Sequence, residues 1–259
     1  MTGLYGRVAG PNRVRGVGHP LGPLRRLWGQ AARLGTVLAP LGLWPAALAA
    51  QLPPGAVEFG PLLVQAQQAH WPEVPEPWTL AGQVEQESCL TLRHRRCWNP
   101  RAELKTTREY GFGFGQITVA YRADGSTRFN KFHELVTRHL PLKDWSWEDR
   151  YDPARQLTAM VLMDRDLYRQ VQQAATPADH MAFALAAYNG GAVGVAQDRL
   201  LCKNTAGCDP GRWVGHVEHT SLKSRTKLHG YGKSFFEINR EYVRNILTLR
   251  RVKYRGWWA

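Results

Sequence analysis

Along most of the chain, apolar residues recur at helical spacing. Leu157, Met160, Val161, Leu167, Tyr168 and Val171 fall on one side of a helix. The stretch PADHMAFALAAYNGG opens on Pro177 and closes on glycines, as helices do, with Met181, Leu185 and Tyr188 on one face. SFFEINREYVRNILTLRRVKY predicts one long final helix from Ser234 to Tyr254. EFGPLLVQAQQAHW predicts an amphipathic helix over 58–71, which PEVPEP then breaks. Period-2 runs are scarce, and FGQITVAY (114–121) is the best strand candidate. With no internal repeat, the pattern predicts one mostly α domain over residues 56–259 with a small β element.

Composition changes the picture at the N-terminus. Residues 1–55 form a separate basic segment: six arginines and no acid in the first 57 positions. Residues 34–50 are then uncharged and apolar, and end in Ala47-Leu48-Ala49. That order of basic, apolar and small residues is the layout of an export signal or a short anchor. It predicts a periplasmic or cell-envelope location; the alternative is a disordered or surface-packed N-terminal arm. The four cysteines fall in two close pairs, Cys89 with Cys97 and Cys202 with Cys208. Neither has the C-x-x-C spacing of structural zinc. In an exported chain they predict two short-loop disulfides; in a cytosolic one, four buried thiols.

The net charge is +13, from 34 Lys plus Arg against 21 Asp plus Glu. From Leu222 onward, ten basic residues face two acids. Such a balance favours polyanionic partners. The expectation is that this region attracts anionic cell-wall, membrane or outer-membrane surfaces, the alternative being a solvated face that only aids solubility.

The candidate chemistry centres on VEQESC, residues 84–89. At about 100° per residue from Leu80, Val84 falls near 40°, Glu87 near −20° and Glu85 near 140°. Glu87 therefore shares the apolar face, and Glu85 is expected to point away and to be dispensable. A desolvated carboxyl has a raised pKa and can serve as a general acid near neutral pH. The alternative is a helix-end carboxylate paired with an arginine. Gly111, Gly113 and Gly115 allow close backbone approach to a ligand or a tight turn, and Gln116 follows them. Tyr188 is expected to point inward, where its hydroxyl needs a partner such as a carboxyl.

Taken together, Glu87-Ser88, Gly113-Phe114-Gly115-Gln116 and Ala187-Tyr188-Asn189-Gly190 resemble, in order, the E-S, G-x-x-Q and A-Y-N-G motifs of soluble lytic transglycosylases. The resemblance covers at least residues 78–200, and 56–259 as a whole resembles the endolysin-type enzymes of phages and mobile elements. It implies a lysozyme-like fold of the goose-type lysozyme kind, with the β element near the cleft. It also implies cleavage of peptidoglycan glycan strands between N-acetylmuramic acid and N-acetylglucosamine, leaving 1,6-anhydro ends. Glu87 would be the acid/base, and Ser88, Gly113, Gln116, Ile117, Tyr188, Asn189 and Tyr242 would line the site. No metal, cofactor or nucleic acid is implied, and a monomer is expected. Two departures stand out. The spacing from Glu87 to Gln116 is long, and Ile238 occupies the place of a glutamate in the family's E-T-x-x-Y-V, of which Tyr242 and Val243 remain.

Glycosidases usually need two carboxyls, and no other acid lies in these motifs. A transglycosylase needs one, because the sugar's own 6-hydroxyl attacks and gains from proximity. The nearest rival reading is a hydrolytic lysozyme with Glu103, Glu109 or Asp124 as the second carboxylate. A further rival is a non-catalytic, basic wall-binding protein. A zinc peptidase fits poorly: His133-Glu134 is followed by His139, which misses the H-E-x-x-H spacing. His216 and His219 lack a matching acidic ligand set.

Overall fold

The computed structural model describes residues 52–89, 96–227 and 232–258, and the signal-like segment of residues 34–50 lies outside these. Seven α-helices and a small antiparallel sheet make up the fold among the described residues. The chain begins with α1 (Pro54–His70) and α2 (Trp78–Ser88). Strands β1 (Glu103–Lys105), β2 (Glu109–Phe112), β3 (Ile117–Tyr121) and β4 (Thr127–Asn130) pair in sequence order. Then come α3 (Lys131–Arg138), α4 (Pro153–Gln170), α5 (Pro177–Gly190), α6 (Ala192–Lys203) and α7 (Phe235–Arg244). The fold is mostly α with a small sheet, as the periodicity predicts.

Helix starts follow local chemistry. Asp152 and Thr176 accept from the backbone N–H of Arg155 and Asp179, and a proline follows each cap at the first helical position. Ser234 and Glu237 form a reciprocal capping box at the start of α7. The expected long final helix does not continue as one. After Arg244 it widens into a π-helical turn (Asn245–Arg250) and tightens into a 3-10 segment (Arg251–Trp258). These irregular turns bring Arg250, Lys253 and Tyr254 against α2, where they bond Glu85.

Three of the four strands carry no clear period-2 signal. β1 is three residues long and exposed throughout, and β4 is almost wholly exposed. The sheet is held by its ladder, with Gly111 opposite Thr118 and Val119 opposite Asn130.

Two apolar cores result. The larger joins α1, α2, α4, α5 and the C-terminal segment around Leu63, Leu80, Phe114, Phe183 and Tyr254. The smaller lies under the sheet, where Phe112, Ile117, Phe132, Leu142 and Trp145 meet Ala159 and Leu162. Helix α4 serves both, since Leu157, Met160 and Val161 face the larger core. This shared helix fixes the sheet relative to the helical body.

Both cysteine pairs are disulfides: Cys89–Cys97 ties the end of α2 to the loop before the sheet, and Cys202–Cys208 ties α6 to its following turn. Among the described residues no helix is long and apolar enough to cross a membrane.

Candidate functional site

Glu87 occupies the last turn of α2, where unsatisfied carbonyls disfavour a negative charge. Tyr242, on α7, donates a hydrogen bond to Glu87 Oε1 at 2.6 Å. The residue keeps partial exposure, yet protein packs closely around its carboxyl. Burial pushes its pKa up to about 7, and the Tyr242 bond only partly offsets this. A carboxyl so poised can donate a proton and take one back near neutral pH. Tyr188 and Tyr242 both feel the Glu87 charge, and burial holds both phenols protonated well past their usual range.

The glycine-rich turn between β2 and β3 stands beside this group. Gln156 of α4 locks it in place: its Oε1 accepts from the Phe114 N–H at 2.9 Å, and its Nε2 donates to the carbonyls of Pro100 and Arg150. Gly113 has φ +76°, and a Cβ there would lie 2.3 Å from Gln156 Oε1. A Cβ on Gly115 would lie 2.6 Å from the Tyr188 hydroxyl, which donates to the Gly115 carbonyl at 2.7 Å. These glycines thus allow the turn to close onto α4 and α5.

The sequence-predicted residues divide by what their side chains do. Glu87, Tyr242, Tyr188 and the Gly113–Gln116 turn come together. Tyr188 bonds a carbonyl, and Tyr242 is the phenol that holds Glu87. Gln116, at φ +44°, donates to the carbonyls of Ala102 and Gly113, and its Oε1 has no partner in the protein. Asn189 is exposed and accepts from Asn239, a buried α7 residue that also donates to the Ala186 carbonyl. Ser88 is buried, donates to the Val84 carbonyl and accepts from the Trp98 N–H, so its hydroxyl serves the fold. The Ile117 side chain lies wholly within the core under the sheet, leaving only its backbone for a ligand.

Glu85 departs from expectation. It is 4% exposed, one of the most buried carboxylates of the chain. Its Oε1 pairs with Arg250 at 2.9 Å and Lys253 at 2.7 Å, and its Oε2 accepts from Tyr254. The helical wheel placed it correctly, opposite Glu87. The C-terminal segment covers that opposite face, which local periodicity cannot show. The same pairs, with Arg251 on Glu76 at 2.6 Å, turn three of the basic C-terminal residues inward.

The rival second carboxylates lie on the sheet side. Glu103 accepts from Tyr110 and Tyr151, bonds that hold its pKa below the usual range, with Arg150 nearby acting in the same sense. It lines an open groove of about 630 Å³ with Lys105, Tyr121, Trp147 and Arg150, none of which belongs to the Glu87 cluster. Asp124 is bound to Ser126 in the exposed β3–β4 turn, which holds its pKa down. A lowered pKa makes Glu103 and Asp124 poor proton donors, though it suits a base or nucleophile, so of these carboxyls Glu87 is the candidate acid. Asp164 on α4, a buried carboxyl close enough to Glu87 to feel its charge, carries no sequence signal. Its neighbours 163–166 read as an ordinary polar helix turn. No group of His, Cys, Asp and Glu among the described residues is placed to hold a metal ion.

Compared with known proteins, the sequence matches no family model and no curated protein.

Proposed function

We propose that this chain is a peptidoglycan lytic transglycosylase of lysozyme-like fold, with Glu87 as its single acid/base. The observation that carries this reading is the Glu87 carboxyl, poised near pKa 7 beneath Tyr242 and beside the Gly113–Gln116 turn. In the reaction, protonated Glu87 gives its proton to the bridging glycosidic oxygen as the bond to the anomeric carbon breaks. Ionised Glu87 then takes the proton of the 6-hydroxyl on the same sugar, whose oxygen closes the 1,6-anhydro ring. Proton and electron count balance without water, metal or cofactor. Tyr242 steadies the carboxylate between the two steps.

The partners of this reading are glycan strands acted on by a monomer. An exported location agrees with the two disulfides. Mass spectrometry of products from purified sacculi tests it. Anhydro ends are expected; reducing ends would favour a hydrolytic lysozyme, and binding without cleavage a wall-binding protein.

A further inference from the structure

Asp164 lies beneath the Glu87 cluster at 1% exposure. Its Oδ1 accepts from Gln83 Nε2 at 3.0 Å. Gln83 is also fully buried, one helical turn before Glu87 on the same face of α2. The remaining oxygens of this pair, Asp164 Oδ2 and Gln83 Oε1, have no hydrogen-bond partner. Two acceptors without donors, on two side chains that already touch, form an unusual arrangement in a core. One proton resolves both. With the acid proton on Oδ2, Asp164 donates to Gln83 Oε1 while Gln83 Nε2 donates to Oδ1, closing a cyclic acid–amide pair.

The groups that face Asp164 agree. They are Gln83 and Glu87 on α2, Tyr188 on α5 and Tyr242 on α7, and none is a cation. Arg165, its chain neighbour, is turned to the His70 carbonyl of α1 and to Asp166. Nothing here compensates a buried negative charge.

We propose that Asp164 is a positioning residue, a neutral carboxylic acid paired with Gln83, that supports the last turn of α2 without placing a second negative charge under Glu87. Burial above all, with the nearby Glu87 charge, holds its proton on well above the usual carboxylate range, although the Gln83 bond to Oδ1 pulls the other way. An ionised Asp164 would make Glu87 hold its proton more tightly and so weaken it as the acid of the first step. Asp164 is then not the second carboxylate of a hydrolase. This role rests on the acid/base reading of Glu87; the protonation state does not.

Asp164→Asn offers the same donor and acceptor to Gln83 without titrating. Unfolded aspartate ionises near pH 4, whereas the folded group stays protonated, so wild type loses stability with rising pH relative to the variant. The melting temperature of Asp164→Asn minus that of wild type should be small near pH 4. It should grow by about 3 °C per pH unit toward neutrality. Carboxyl-carbon NMR of wild type labelled at aspartate should show one side chain still protonated at neutral pH. Glycan release by the variant should keep its turnover and the same basic limb of the pH profile.

A pH-independent melting difference, or aspartates that all titrate normally, would overturn the neutral acid. A variant that folds but loses glycan release a hundredfold would make Asp164 a catalytic carboxylate and overturn the positioning role. If wild type itself released no glycan, the enzyme reading would fail while the melting and NMR results still decided the protonation state.

Discussion

In the proposed reaction Glu87 must be protonated to act first and ionised to act second, so its pKa of about 7 would set the working range. Glycan release should fall as pH rises through about 7. Glu87→Gln should lower release at least tenfold and leave the fold intact, which activity assays with circular dichroism would check. The sign of its stability effect follows from linkage. The folded pKa lies above the unfolded value, so wild type loses stability as pH climbs from about 4.5 to about 7. The full loss is on the order of 3 kcal/mol, and Glu87→Gln escapes it. The variant should therefore melt higher than wild type at pH 8 and similarly at pH 4. Tyr242→Phe removes the one bond that favours the carboxylate. Its basic limb should move to higher pH and its turnover should fall, as pH–rate profiles would show. A limb that stayed put would mean that the phenol does not hold Glu87 during the reaction.

Helix α2 carries the proposed acid/base on one side and an anchor on the other. Glu85 binds Arg250, Lys253 and Tyr254, whose hydroxyl also accepts from Trp98 Nε1 at 2.9 Å. The Glu85 cluster thus joins three distant stretches of chain at the back of the candidate site. Removing one partner of a buried ion pair leaves the others uncompensated. Glu85→Gln should lose about 3–5 kcal/mol, read by urea unfolding, the reverse of a silent surface change. On the β2–β3 turn, Gly115→Ala places a Cβ where the Tyr188 hydroxyl stands. Tyr188 must move or the turn must lift, and glycan release should drop more than melting temperature does. An alanine variant with wild-type release would show that this turn does not meet the sugar.

The whole molecule keeps its positive excess, though not where the run of C-terminal basic residues suggests. Arg250, Arg251 and Lys253 are mostly covered by their carboxylate partners. Lys227, Arg244 and Arg255 are exposed and remain available to an anionic surface. Changing these three to Gln should weaken sacculus binding at low salt and flatten its salt dependence, with little change in melting temperature. Unchanged binding at low salt would mean that their charge only aids solubility.

What the sequence by itself determined was local. The periodicity of α4 and α5, their proline starts and the Glu87 face of α2 follow from side-chain order within a turn or two. Near spacing also indicated which cysteines could pair, and the structure decided that both pairs are disulfides rather than thiols. The three motifs carried Glu87, the Gly113–Gln116 turn and Tyr188 because each is a short contiguous signal. What only the tertiary structure decided involved partners far away in the chain. Glu85 looked solvent-facing because its covering residues, Arg250 to Tyr254, lie more than 160 positions on. β1 and β4 were illegible because their exposed residues carry no alternation, and ladder partners rather than burial hold them. The final helix reads as continuous by period, yet its end unwinds to meet α2. Asp164 matters only because α4 carries it to Gln83 on α2, and no spacing within one helix encodes that meeting.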